Sequence, residues 1–202
     1  MRWIAVVSVT GLLLTGASAT AGTPSPRAPL MVTDTCSVCH GNDGVSPNST
    51  FPDLAAQTKT YLDTQLKNFR DHQRADPNAK AYMWTMAGTL SDKEITKIAQ
   101  YFSALKPPRG AASENPAQIA AGKAIFEKGI ASENVPACAS CHGDKAAGLE
   151  TFPRLAGQHR QYLVSQLQAF RSKARDNATM YIVVQHVTNK QIRDVAAYLA
   201  SL

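Results

Sequence analysis

One pentapeptide pattern occurs twice in this chain, as Cys36-Ser37-Val38-Cys39-His40 and as Cys138-Ala139-Ser140-Cys141-His142, and the two copies use all 4 cysteines. A Cys-x-x-Cys pair followed directly by His is the attachment pattern of a c-type haem. Each thiol can add to one vinyl group, giving two thioethers, and the adjacent imidazole is then placed to bind iron from one face. Cys36, Cys39, Cys138 and Cys141 are therefore the candidate covalent anchors of two haem c groups, and His40 and His142 the candidate axial ligands. A single four-cysteine zinc site is the first competing reading. It is disfavoured by the 98 residues between the pairs and by the adjacent histidines. Paired redox disulfides of the thioredoxin kind would need a strand–helix context that the sequence lacks.

The rest of the chain is also written twice. Phe51-Pro52-Asp53-Leu54-Ala55-Ala56-Gln57 is followed by Tyr61-Leu62, Gln65-Leu66 and Phe69-Arg70. Phe152-Pro153-Arg154-Leu155-Ala156-Gly157-Gln158 is followed by Tyr162-Leu163, Gln166-Leu167 and Phe170-Arg171. The offset between copies falls from 102 at the cysteines to 101 at the Phe-Pro phrase and 97 at the last helix. This tandem duplication predicts two domains, 22–105 and 115–202. They are joined by a linker, 106–114, in which Pro107-Pro108 and Gly110 break any helix. Each half of ~80–90 residues buries a limited core alone, which a haem would complete.

The periodicity is helical throughout. Tyr61, Leu62, Gln65, Leu66 and Phe69 recur at three and four, and the second copy repeats them. Ser91-Asp92-Lys93-Glu94 and Thr188-Asn189-Lys190-Gln191 read as capping boxes before amphipathic helices. Asn115-Pro116 opens a further helix whose Gly122 permits close approach of a neighbour. In the first half Pro24, Pro26 and Pro29 confine any matching helix to about Leu30–Cys36. No segment alternates convincingly as a strand, so the expected fold class is all-α.

Residues 1–21 read as a secretory signal. Arg2 precedes an apolar stretch from Trp3 to Leu14, with small-residue cleavage patterns at Ala17-Ser18-Ala19 or Ala19-Thr20-Ala21. The stretch is short of the ~20 residues a spanning helix needs. Export places the mature protein in the periplasm, where this type of haem attachment occurs. The full chain has 21 basic and 15 acidic residues, a formal charge of +6. No basic run is present, so nucleic-acid binding is unsupported. Weak docking to an acidic partner and peripheral association with a membrane stay open.

A buried low-spin haem usually takes a second axial ligand opposite the histidine, commonly a methionine, which raises the potential. Met180 is the only methionine after His142, whereas Met83 and Met86 both follow His40. Met180 precedes Val187 by seven residues, and Met83 precedes the matching Leu90 by seven, so register favours Met83 and leaves Met86 to core packing. His72 reads as surface and His159 as a loop-to-helix junction. His186 is the alternative to Met180, although the first copy carries Thr89 in its place.

With Cys-x-x-Cys-His-Gly, Phe-Pro-x-Leu-Ala and Tyr-Leu-x-x-Gln-Leu-x-x-Phe-Arg each present twice, the chain resembles the dihaem cytochrome c4 family over nearly all of its mature length. The resemblance implies two class I cytochrome c domains related by a pseudo-twofold axis, with haem propionate edges near the interface. It implies ligation by His40/Met83 and His142/Met180. It further implies a periplasmic electron carrier with no catalytic residues, accepting electrons from a cytochrome or copper protein and delivering them toward a terminal cytochrome oxidase. A dihaem peroxidase would need an open iron position, and a docking subunit of a larger complex would share the haem chemistry.

Overall fold

The computed structural model describes Met1, residues 28–110 and residues 115–202. The signal segment apart from Met1, Pro24, Pro26 and linker residues 111–114 lie outside the described residues. Among those described, regular structure is helical, with two isolated β-bridges, Ile130 to Val135 and Leu149 to Phe152.

In the first half the chain turns helical at Leu30. A π-helical turn, Val32–Cys36, runs straight into α1, Ser37–His40. The short opening helix thus extends through the cysteine motif instead of ending at Cys36. Gly41 ends it at φ +77°, a conformation natural to glycine. After α2, Lys59–Arg70, a second π-helical turn, Ala79–Met83, leads into α3, Trp84–Ala87, and then α4, Asp92–Ser103. The second half comprises α5, Pro116–Lys128; a 3₁₀ turn, Ala131–Glu133; α6, Ala139–His142; α7, Arg160–Arg171; α8, Ala178–Val184; and α9, Asn189–Ala200. Both capping boxes form: Ser91 with Glu94 opens α4, and Thr188 with Gln191 opens α9.

Each half packs its last helix on the helix that follows the Phe-Pro phrase. Ile95, Ile98, Ala99 and Phe102 of α4 meet Leu62 and Phe69 of α2. Val195, Ala196 and Leu199 of α9 meet Leu163 of α7 and Phe126 of α5. Burying each large apolar side chain contributes about 1.5–3 kcal/mol. Gly122 lets α5 lie directly on α9, since a Cβ there would overlap the carbonyl oxygen of Asp194 and crowd the Cβ of Tyr198.

An arginine ties each core to the loop beyond it. Arg70 donates to the Leu90 carbonyl at 3.2 Å and to Asp92 at 2.7 Å. Arg171 donates to the Val187 carbonyl at 2.6 Å and to Asn189 at 2.5 Å. The loops so closed span separations of 20 and 16 residues, so the four-residue change in offset falls within the loops that carry Met83 and Met180.

The halves face one another through matched polar contacts. Gln57 accepts from the Arg154 N–H at 2.6 Å and donates to its carbonyl at 3.0 Å. Gln158 does the same to Asp53, at 2.9 Å in both directions. Between them, Arg74 donates to Gln65, Tyr162 and Gln166, and Arg175 donates to Gln166, Tyr61 and Gln65. All these pairs are related by the 101-residue offset, so the interface has the exchange pattern of a twofold axis.

Two outcomes follow from this packing. Gly122→Ala is expected to lower stability by about 1–3 kcal/mol through overpacking, read as a fall in thermal midpoint of the haem-loaded protein. Gln57→Ala removes both partners of the Arg154 backbone and is expected to cost about 1–3 kcal/mol in denaturant unfolding, with Gln158→Ala costing a similar amount.

Candidate haem sites

The cysteine motifs sit on the short helices α1 and α6, whose last residue is the histidine in each case. His40 and His142 are each 7% exposed. The His40 Nδ1 lies 2.8 Å from the Pro52 carbonyl oxygen, and the His142 Nδ1 lies 3.0 Å from that of Pro153. A carbonyl accepts only, so Nδ1 carries the proton and Nε2 keeps its lone pair for a metal. Burial lowers the proton affinity of both rings, and the bonds to the proline carbonyls oppose that shift in part. Each ring also meets the phenylalanine of its Phe-Pro phrase edge-on, His40 with Phe51 at 6.2 Å and His142 with Phe152 at 6.1 Å.

All four cysteines are free and partly buried. Burial pushes the Cys138 thiol up to about 11 and raises that of Cys36 as well. Both are therefore held as thiols at neutral pH, and conversion to thioethers would remove their titration altogether.

One cavity in the first half is lined by Cys36, Cys39, His40 and Met83 together, with Leu54, Leu66, Phe69, Leu90, Ile98 and Phe102 as its apolar walls. The sulfur donors, the imidazole and the thioether that the sequence picked out thus share one largely apolar space, as a macrocycle held by two thioethers and two axial ligands requires. Met83 ends the π-helical turn Ala79–Met83 and packs partly buried against the first core. Met86, expected to fill the core, is 46% exposed and lines the same cavity. In the four-residue helix α3 it is Trp84 and Ala87 that pack into the first core. In the second half the Asn177 side chain caps the backbone N–H of Met180 at 2.8 Å, fixing it in the first turn of α8. Met180 packs partly buried against Phe170, Val184, Val187 and Ile192. His186 is exposed, and His72 is exposed and stacked on Trp84 at 4.1 Å.

The far wall of the first cavity is polar and comes from both halves. Tyr61, Gln65, Arg74 and Asp76 line it beside Tyr162 and Gln166. Burial alone would raise the Tyr61 phenol, but the guanidinium groups of Arg175 and Arg74 bring it net below its usual range. Sequence reasoning missed this wall. Its signal was present in Tyr61/Tyr162 and Gln65/Gln166, polar residues repeated at helical spacing on a face that otherwise reads as core. His159 does sit at a loop-to-helix junction, as the N-cap of α7; what the sequence did not signal is its Nε2 lying 3.0 Å from the Ser46 carbonyl and 3.2 Å from Asp53 in the other half.

Known proteins bear on these sites. The family model for cytochrome c matches residues 28–106 and 119–202. Cytochrome c-552 of Acidithiobacillus ferridurans is 44% identical over 193 residues, covering 95% of this chain and 84% of that protein. Cytochrome c4 of Pseudomonas aeruginosa is 36% identical over 173 residues, covering 83% of each. The solved structure of Acidithiobacillus ferrooxidans cytochrome c4 superposes with a TM-score of 0.79 at 44% identity, covering 83% of this chain and 98% of that one. The chain belongs to the cytochrome c family, and within it to the dihaem electron carriers of the cytochrome c4 type, with two covalently bound haem c groups in two helical domains.

Proposed function

We propose that this protein carries single electrons through two closed, six-coordinate haem sites, between a cytochrome or copper-protein donor and a terminal cytochrome oxidase in the periplasm. In this reading residues 1–21 are removed on export, and domains 22–105 and 115–202 each hold one haem. Cys36 and Cys39, and Cys138 and Cys141, supply the thioether sulfurs. His40 and His142 bind iron through Nε2, oriented by the Pro52 and Pro153 carbonyls, and Met83 and Met180 bind the opposite face. Haem iron supplies the one-electron couple when bound. The apolar walls around His40 and Met83 exclude water, which keeps the surroundings from rearranging as charge changes. Filling the sixth position with a thioether leaves no site for peroxide, which separates a carrier from a dihaem peroxidase.

The observation that carries this reading is the meeting of Cys36, Cys39, His40 and Met83 around one cavity. The test is absorption of the purified ferric protein with a pyridine haemochrome count. Two haems and a full-strength far-red methionine–iron charge-transfer band are expected. Met83→Ala and Met180→Ala should each remove half of that band, and Met86→Ala should leave it whole. A high-spin signature from one haem in the unaltered protein would instead point to an open, enzymatic site.

A further inference from the structure

The two halves grip one another unequally at one end of the interface. Gln57 and Gln158 make matching contacts, but the residues that follow them do not. Thr58 turns back on its own half and caps the Tyr61 N–H of α2 at 3.4 Å. His159, at the matching place in the second half, reaches across instead. Its Nε2 lies 3.0 Å from the Ser46 carbonyl oxygen and 3.2 Å from Asp53 Oδ1. A carbonyl accepts only, so Nε2 carries a proton and donates it. Two residues later Gln161 accepts from the Ser49 hydroxyl at 2.7 Å. The start of α7 therefore takes hold of the segment from Ser46 to Asp53.

That segment carries the supports of His40. Ser46 and Asp53 are 3% and 5% exposed and bonded to each other, the Ser46 N–H donating to Asp53 at 2.7 Å. The Ser46 hydroxyl donates to the carbonyl of Cys39, the residue before His40, at 2.7 Å. Asp53 directly follows Pro52, whose carbonyl accepts from the His40 ring. One buried pair thus reaches His40 from two sides, through the backbone that carries it and through the acceptor that turns its ring. The second half lacks the pair: Ala147 and Gly148 stand where the first half has Ser46, and Arg154 where it has Asp53. There the Phe-Pro phrase is steadied from within, by the bridge in which Leu149 and Phe152 exchange backbone bonds at 3.0 and 2.9 Å.

We propose that His159 is a positioning residue for the haem site of the facing half: by holding the Ser46–Asp53 pair it fixes the plane of the His40 imidazole, a control that Thr58 does not exert on His142. Groups that hold an imidazole from behind set its orientation at a metal. In a ferric low-spin haem that orientation shows in the magnetic anisotropy. The proposal rests on the two-haem, His/Met reading above.

The test is electron paramagnetic resonance of the frozen ferric protein with both haems in place. Two low-spin signals are expected. Met180→Ala should remove the signal of the second haem and so identify the other as the first. His159→Ala should shift the g values of the first haem's signal and leave the second's in place, although His159 belongs to the second half. His159→Gln, whose amide N–H can still donate to the Ser46 carbonyl, should bring the first signal back toward its original position. Ser46→Ala breaks the pair from the first half and should move the same signal. Thr58→Ala should lower the thermal midpoint and move neither signal. A first signal unmoved by both His159→Ala and Ser46→Ala would overturn the proposal. So would a shift confined to the second haem, or a glutamine variant no different from the alanine one. Retention of both low-spin signals in Met180→Ala would overturn the ligand reading instead.

Discussion

The bond from the histidine of each cysteine motif to a proline carbonyl organises more of this protein than any other single contact. The Pro52 carbonyl holds the His40 ring by Nδ1 at 2.8 Å, which leaves Nε2 facing the cavity. The very next residue, Asp53, has its N–H and carbonyl gripped by Gln158 of the other half. The second copy repeats the arrangement with Pro153, Arg154 and Gln57. One extended stretch of backbone thus aims the motif histidine on one side and docks the partner domain on the other. A shift of either domain would be felt at the motif histidine of the facing one, because the Phe-Pro phrase has no slack between its two duties.

Duplication explains why these contacts come in pairs, and its imperfections show what each half needs. The arginine clamps Arg70 and Arg171 keep the far edge of each methionine loop fixed to α2 and α7. Four residues are missing between those anchors in the second half, yet both methionines stay seven residues ahead of the clamped carbonyl. The loop is measured from its C-terminal end. What changes is the N-terminal side, where the first half uses a π-helical turn to reach Met83 and the second uses an Asn177 cap to start α8 just before Met180. A π turn widens the backbone and is a recurrent device for re-aiming a side chain at a functional site.

Much of this was legible in the sequence, for reasons that can be named. Cys-x-x-Cys-His is readable because covalent chemistry fixes residue type and spacing with no help from the fold. The capping boxes are readable because they are local, and Gly122 because only a close helix contact explains glycine amid Ile119, Ile125 and Phe126. Met86 was misassigned because burial depends on what faces a helix, and it is Ala87 and Trp84 of α3 that pack into the first core. The Tyr–Gln–Arg cluster was invisible for a related reason. Tyr61 and Gln65 on α2, and Arg74 in the loop after it, have no evident partners until Tyr162 and Gln166 are brought against them by the second half. Contacts spanning about 100 residues leave no spacing signal of their own; only the repetition of the letters records them.

The polarity of the interface also accounts for the linker. Buried guanidinium groups with amide and phenol partners add little net affinity, because desolvation offsets much of what the bonds return. They are selective about geometry, since Arg74 and Arg175 each need several acceptors in place at once. Two free domains would associate weakly through such a surface. Joined by a short connection, they meet at a high effective concentration, and the modest affinity suffices. The first cavity shows the result: Tyr162 and Gln166 complete its wall from across the interface, so the first half is finished by the second. A polar interface on a tether gives one fixed arrangement of two haem sites, whereas an apolar one would tolerate sliding and let the distance between the sites vary.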